Sequence, residues 1–275
     1  MRIVQLSDLH FGTEVEAVLA ALLVRLKQLQ PDLLLLSGDL TQRARRREFA
    51  RCRRFLHQLP DVPILAVPGN HDLPLYNIWH RFRAPYAGYH RVFGHELAPC
   101  FESESTLVVG VNTTDPRRHV DGAFEPAAIE QVAQRLASST ASLKLVVGHH
   151  PVDAVLATDE QNIARQANKA VRAWAAAGMQ LYLAGHIHFP FFAPLNRRYP
   201  GVPDDIWTLQ AGTAISRRTR DGKPNSFNMI EREQQQLALT RWDYQLHRGA
   251  FEQGEQVQLP LRSSVLSSDV GSGST

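Results

Sequence analysis

Six of the twelve histidines in this chain fall in four short motifs: Asp8-Leu9-His10, Gly69-Asn70-His71-Asp72, Gly148-His149-His150 and Gly185-His186-Ile187-His188. A fifth motif, Gly38-Asp39, adds a carboxylate. Each directly follows a short apolar run. Two divalent ions about 3.5–4 Å apart can activate a water and steady both oxygens of a phosphoryl displacement. Such a centre needs hard oxygen ligands mixed with imidazoles, and these motifs offer carboxylates, one amide and several imidazoles. The order predicts a two-metal hydrolytic centre assembled at the ends of several strands. A strand end fixes the backbone, the next loop aims the side chain, and a glycine before the ligand permits a tight turn and close backbone approach.

Taken singly, the motifs are weak. Asp-x-His arises by chance, Gly-Asp says almost nothing, and His-x-His is as often a surface pair. Asp8, Asp39 and Asn70 are also good turn or cap residues, but capping leaves their clustering unexplained. All five motifs in order, each closing an apolar run, are hard to obtain by accident. His150 is open between supporting a ligand and serving structure. Gly148-His149-His150-Pro151 is not a nucleophile elbow, and no phosphate-cradling Gly-Lys-Ser/Thr loop is present.

The elements that must position these residues alternate. Residues 2–6 read as a buried strand. Thr13 and Glu16 suit a capping box opening a helix with the stripe Val15, Val18, Leu19, Leu22, Leu26 and Leu29. Leu33 to Leu36 and Val62 to Val67 read as strands. Between them an arginine-rich helix places Phe49, Cys52, Leu56 and Leu59 on its inner face. This βαβαβ run predicts a largely parallel sheet covered by helices. Further strands are expected at Leu107 to Val111, Leu143 to Val147 and Gln180 to Ala184. Helices are expected at Glu125 to Leu136 and Ile163 to Ala177, the latter ended by Gly178. From 189 onward the patterns at Ile206 to Gln210, Ser226 to Glu231 and Leu237 to Trp242 suggest a second, mainly antiparallel sheet. We expect one domain over 1–262, with 73–106 as a cap-like insertion and 189–262 as the second-sheet region. The Ser/Gly-rich stretch 263–275 is expected to be a disordered tail.

With 275 residues, 44% hydrophobic and 21% charged, the chain can bury a sizeable core and is not globally disordered. Two cysteines, Cys52 and Cys100, allow at most one disulfide and fit a reducing compartment. Met1 runs straight into the first strand, which leaves no room for a signal peptide, and no apolar run approaches a membrane span of about 18 residues. A cytoplasmic protein is the expectation. The net charge of +3 is mild. The arginines of 43–54 read as a solvated helix face, with a polyanion contact as the alternative.

These motifs resemble the calcineurin-like metallophosphoesterase superfamily over roughly residues 1–190. The resemblance implies an α/β fold, a four-layer α/β/β/α sandwich with two mixed sheets. It implies one ion held by Asp8, His10, Asp39 and His188, and a second by Asp39, Asn70, His149 and His186, with Asp39 bridging. It places His71 near the scissile phosphate as general acid or charge stabiliser, with Asp72 orienting it through a hydrogen bond. The mixed oxygen and nitrogen set suits Mn²⁺, Fe²⁺ or Zn²⁺, and the family implies Mn or Fe. Within the superfamily, the motif spacing is most similar to the class III cyclic nucleotide phosphodiesterases. His71 argues against the lipid A precursor hydrolases, in which Arg is expected there.

The expected activity is phosphodiester hydrolysis by a metal-bridging hydroxide, with 3′,5′-cyclic nucleotides such as cAMP as substrates. Glycerophosphodiesters, nucleotide-linked lipids or a broad range of phosphoesters are the alternatives. A nuclease is less favoured, since nuclease members carry large added domains. A metal-keeping scaffold would not need both His71 and a complete ligand set. The small-molecule substrate is therefore the expected partner, nucleic acid is not, and the resemblance allows a homodimer. Arg217 and Arg218, in the loop after the last motif, could pair with phosphate. His80, His90, His95 and His119 are candidates for a pocket rim, and more naturally surface residues.

Overall fold

The computed structural model describes residues 1–261 apart from Gln234, with only the backbone of Ile78. The expected tail at 263–275 lies outside the described residues. The chain begins β1 (Arg2–Leu6), α1 (Glu16–Leu29), β2 (Leu33–Ser37), α2 (Arg46–Leu56) and β3 (Ile64–Val67). The three strands pair in parallel in the order β1-β2-β3. Two short helices, α3 (Ile78–Arg83) and α4 (Ala87–Phe93), lead to β4 (Cys100–Glu102) and β5 (Thr106–Gly110). Next come α5 (Pro126–Ser138), β6 (Leu143–Val147), α6 (Ala167–Ala176), β7 (Leu181–Ala184), β8 (Phe191–Pro194) and β9 (Trp207–Gln210). The chain closes with β10 (Ser226–Glu233), β11 (Gln236–Gln245) and β12 (Ala250–Pro260).

The described residues form two six-stranded mixed sheets, ordered β12-β11-β10-β1-β2-β3 and β4-β5-β6-β7-β9-β8. The run Leu33–Leu36 shows why four layers form. All four leucines are fully buried, but Leu33 and Leu35 join the core between the sheets while Leu34 and Leu36 join the one beneath α1 and α2. Successive side chains of a strand point to opposite faces, so an unbroken apolar run requires cover on both faces. The inter-sheet layer brings Ile3, Leu33 and Leu35 together with Leu145, Leu181 and Leu183. On the far face, Trp174 of α6 and Leu136 of α5 pack with Val146 and Tyr182. Each fully buried leucine contributes about 2 kcal/mol, and Leu35→Ala would cost about 2–5 kcal/mol through the cavity it leaves.

Four local expectations are corrected. The capping box does not form. Thr13 Oγ1 donates to His10 O at 3.0 Å, and the helix starts from Val15, whose N donates to Ile215 O at 2.8 Å. A contact from a distant loop replaces the local cap. α6 begins at Ala167 rather than Ile163, because Gln166 adopts a left-handed conformation (φ 64°). The strands after 189 do not make a sheet of their own. β8 and β9 complete the second sheet, while β10 crosses to pair antiparallel with β1 and carries β11 and β12 with it. The middle segment is not only a cap. Cys100–Glu102 pairs as an edge strand with β5, and α4 is anchored by fully buried Tyr89, whose hydroxyl donates to Ala66 O at 2.7 Å.

Candidate metal centre

Every motif lies past the carboxyl end of a strand, where open α/β sheets place their ligands. β1 leads to Asp8 and His10, β2 to Asp39, and β3 to Asn70 and His71. From the second sheet, β6 leads to His149 and β7 to His186 and His188. The adjacent strands β1-β2-β3 face β6-β7, so loops remote in sequence meet across the seam between the sheets. The meeting is close. A Cβ on Gly185 would lie 1.9 Å from Ser7 Oγ and 2.4 Å from Asp8 Oδ2, and one on Gly38 would lie 2.4 Å from His149 Nδ1. Asp8, His10, Asp39, His186 and His188 all have positive φ, between 44° and 76°. Left-handed backbone costs roughly 1–2 kcal/mol per non-glycine residue, and here the interlocked loops enforce it.

The buried side chains form two linked clusters. In the first, His10 Nε2 and His188 Nε2 stand 3.1 Å apart, and His188 Nε2 is 3.1 Å from Asp8 Oδ1. In the second, Asn70 Oδ1 lies 3.2 Å from His149 Nε2 and 3.1 Å from His186 Nδ1. Asp39 stands between them, with Oδ2 3.6 Å from His10 Nε2 and Oδ1 3.4 Å from His149 Nε2. Potential ligand atoms of Asp8, His10 and His188, and of Asp8, Asp39 and His149, gather within 4.8 Å.

The hydrogen bonds behind the ligands test whether this set suits metal. A carbonyl only accepts, so an imidazole nitrogen bonded to one carries the proton and leaves the other nitrogen to coordinate. His149 Nδ1 donates to Ser37 O at 2.8 Å and His188 Nδ1 to Arg218 O at 2.6 Å. Asn70 Nδ2 donates to His119 O at 3.0 Å, which turns the amide oxygen toward the imidazoles. The main-chain N–H of His186 reaches both Asp8 oxygens, at 3.0 and 3.2 Å.

Charge follows the same logic. Burial works to raise the Asp8 and Asp39 carboxyls, but the surrounding histidines, His188 foremost for Asp8 and His149 for Asp39, hold both well below the usual range. Burial pulls His10 down to about 4, and burial with neighbouring His149 pulls His186 to about 3. Burial opposes the charge on His149 too, yet Asp39 and Asp8 raise it to about 9. Neutral imidazoles and ionised carboxylates are the forms that coordinate; His10, His186, Asp8 and Asp39 are held in them, and His149 joins by giving up its extra proton. The set fits a dinuclear divalent-metal centre.

His71 stands at the edge of this cluster and is partly exposed. Its Nδ1 donates to Gln42 O at 2.8 Å, and its main-chain N–H donates to Asp39 Oδ1 at 2.8 Å. The expected bond from Asp72 to the His71 ring is absent, which corrects the reading of Asp72. That carboxylate is fully buried and accepts from Leu40 N (3.1 Å), Thr41 N (2.8 Å), Thr41 Oγ1 (2.9 Å) and Gly69 N (2.9 Å). It ties the loop after β2 to the loop after β3, and so positions His71 through the backbone. Burial and nearby Asp39 raise its carboxyl to about 7, against the pull of these donors. His150 has both ring nitrogens occupied, by Thr113 Oγ1 at 2.7 Å and Val120 O at 2.8 Å, and serves structure.

Two neighbours of the site carry no motif. Arg218 Nη1 lies 3.2 Å from His71 Nε2 and 3.4 Å from His10 Nε2. Of the arginine pair, Arg218 turns inward while Arg217 is exposed. Thr213 Oγ1 donates to Asp8 O at 2.6 Å and Asn225 Nδ2 to Ser216 O at 2.7 Å, which fixes the loop that delivers Arg218. Gln42 contributes a main-chain oxygen, for which no sequence signal exists. Of the non-motif histidines, His119 contributes its carbonyl, and His90 and His95 pair with each other, ring centroids 4.7 Å apart.

Interleaved carboxylate and imidazole clusters at the seam of an α/β/β/α sandwich define a class, and the comparisons agree. The family model for calcineurin-like phosphoesterases matches residues 1–190, and the chain belongs to that family. Among individual proteins, it is 29% identical over 161 residues to a probable cyclic nucleotide phosphodiesterase of Synechococcus sp.. That match covers 55% of this chain and 59% of the relative, so the chain spans under two thirds of its length. Among solved structures, the fold is similar to a purple acid phosphatase from yellow lupin, with TM-score 0.70 and 11% identity over 94% of this chain and 53% of that one. It is likewise similar to a dimetal phosphatase from Danio rerio, with TM-score 0.66 and 12% identity over 95% and 99% of the two chains.

Proposed function

We propose that this protein is a two-metal phosphodiesterase acting on 3′,5′-cyclic nucleotides, cAMP first. The observation that carries the reading is Asp39, set between two imidazole clusters with His71 and Arg218 on one side of them. Two divalent ions held by Asp8, His10, Asp39 and His188 and by Asp39, Asn70, His149 and His186 would supply an activated water and neutralise phosphoryl charge. Mn²⁺ or Fe²⁺ suits the mixed donors, and Zn²⁺ is the alternative. The chain's own contribution is orientation and proton handling. His71, its Nδ1–H held by Gln42 O, would serve the leaving alkoxide at Nε2, as proton donor in the form that carries a proton on both ring nitrogens. Arg218 brings a permanent charge to the same point, suited to a phosphoryl oxygen.

The cyclic nucleotide preference rests on the Synechococcus relative's name and on the resemblance of the motifs. Cys52 and Cys100 are both free thiols, which suits a reducing cytoplasm. Among the described residues no helix is long and apolar enough to cross a membrane.

Hydrolysis of cAMP and of bis(p-nitrophenyl) phosphate by Mn²⁺-loaded protein tests the reading. Both should be turned over, and Asn70→Ala should abolish both. His71→Ala should lower turnover about 10²–10⁴-fold with metal content intact. Wild-type activity in Asn70→Ala sinks the assignment, and metal loss in His71→Ala would make His71 a ligand. Turnover of the synthetic diester alone keeps the chemistry and discards cAMP in favour of lipid or glycerol diesters.

A further inference from the structure

The arginines of 43–54 are not simply a solvated face. Two adjoining cavities of about 330 and 500 Å³ lie between α2 and α4, with Arg46, Gly88 and Arg91 lining both. Arg53 lines the first, and Arg43 and Arg45 line the second. Phe49 and Gly88 make the first cavity's floor, packed so closely that a Cβ on Gly88 would lie 2.2 Å from the Phe49 ring. Five guanidinium groups therefore border one concave space.

None of the five has a carboxylate within ion-pair distance among the described residues. Of the seven arginines in 43–54, only Arg51 has one, Glu14 at 2.5 Å. Two acids lie near, and both are occupied. Asp72 reaches the second cavity but is buried under four donors. Glu48 Oε2 accepts the main-chain N–H groups of Arg43 (2.8 Å) and Arg45 (3.1 Å). The cavities also meet the first turn of α2, where the helix dipole adds positive potential. Clustered, unpaired like charges repel, and a concave wall focuses their field onto a counter-ion.

We propose that this cleft is a binding site for a small polyphosphorylated anion, a nucleoside polyphosphate foremost, separate from the metal centre. Arginine forks match phosphate oxygens bidentately. The combined space lies in the range of small-ligand pockets, roughly 300–1,000 Å³. Tyr76, 73% exposed, lines the second cavity with the Arg43 guanidinium 5.5 Å over its ring. An exposed aromatic beside phosphate-binding arginines is a platform on which a base stacks. Two adjoining concavities of this limited size, rather than a continuous groove, favour a small ligand over a nucleic-acid strand. The wall at 43–45 and 72–77 continues directly from Gln42 and His71, so an occupant would sit against the segments that hold the His71 ring.

Calorimetric titration of the metal-loaded full chain with the β,γ-methylene analogue of ATP, and with methylenediphosphonate as the base-free probe, tests this without turnover. Arg46→Glu/Arg91→Glu reverses two lining charges. Arg47→Glu/Arg54→Glu makes the same change in net charge on arginines that line neither cavity. The first pair should weaken the ATP analogue about a hundredfold, and the second less than about threefold. Both pairs are exposed and should melt like the wild type. Stronger binding of the ATP analogue than of methylenediphosphonate supports a base on Tyr76, while equal binding supports the polyphosphate site with no base. Unchanged affinity in Arg46→Glu/Arg91→Glu overturns the proposal and places the anion at the metal centre. Equal losses in both pairs overturn it too, as does tight binding of a single-stranded oligonucleotide where neither small probe binds. Since the readout is binding, failure here leaves the phosphodiesterase reading standing, and loss of that reading leaves this one.

Discussion

Gly185→Ala is the smallest change that should damage the metal centre without touching a ligand. The added Cβ would lie 1.9 Å from Ser7 Oγ and 2.4 Å from Asp8 Oδ2, about 1 Å short of the tightest contact a real Cβ tolerates with the serine. Ser7 cannot simply rotate away, because its hydroxyl donates to Asp8 Oδ2 at 2.6 Å and reaches Ser37 O at 3.2 Å. The loops must separate, which loosens the His186 N–H bonds to Asp8 as well. Overpacking costs about 1–3 kcal/mol, and a buried hydrogen bond lost with it about 1–3 kcal/mol. A total of roughly 2–6 kcal/mol is survivable for a protein with about 10 kcal/mol of stability. It should appear as a melting point lower by about 4–24 °C. The bound-metal stoichiometry, read by elemental analysis after desalting, should fall by about half, since Asp8 and His188 share one cluster. Gly94→Ala is the control, a position with φ 82° and nothing within 4 Å of the added carbon. It should cost about 1–3 kcal/mol of backbone strain and keep its metal. Full metal content and wild-type turnover in Gly185→Ala would refute the reasoning.

Arg218→Ala should lower kcat/KM for a phosphodiester about 10–150-fold, the worth of one charge-assisted hydrogen bond of roughly 1.5–3 kcal/mol. Metal content should be unchanged, because Arg218 offers its main-chain oxygen, not its side chain, to His188. Loss of metal in that variant would show the side chain to be structural. Mn²⁺ binding to metal-free protein at pH 7.5 should release about one proton, because His149 is raised from 6.5 to about 9 and must be neutral to coordinate. The same shift means that imidazolium His149 stabilises the metal-free fold fully below about pH 6.5, a contribution lost as pH rises through about 9. Calorimetric heats independent of the buffer's ionisation enthalpy would contradict the proton release.

The strands and the polar residues that gather at their ends were legible in the sequence for a shared reason. A strand buried on both faces is an unbroken apolar run, as at Leu33–Leu36, and a candidate ligand at its end is a polar residue where the run stops. The parts that were not legible depend on what the backbone does between elements. The destination of β10 was hidden because pairing partners are a tertiary choice, and the pattern of Ser226 to Glu231 suits either sheet. β12 has a burial pattern too irregular to announce a strand. Arg217 and Arg218 were equal candidates in sequence, since only the crossing from β9 to β10 swings Arg218 over His71. The family resemblance gave Asp72 the His71 ring as its partner, and the structure does not. The Asp72 side chain turns instead into the nest of N–H groups at 40, 41 and 69. Anchors such as Gln42 O, Ser37 O and His119 O are main-chain atoms, available from any residue type.

Asp8, His10, Asp39 and Asn70 hang from one sheet, and His149, His186 and His188 from the other. The distance between these halves is therefore gauged by the volume of the apolar side chains that keep the sheets apart, among them Leu35, Leu145 and Leu183. A methylene gained or lost in that layer would change the spacing of both halves of the candidate centre at once, without altering a residue in it. The greasy spacer is thus a tuning element for the reaction, and a search for residues that adjust rate or metal preference belongs there as much as in the loops.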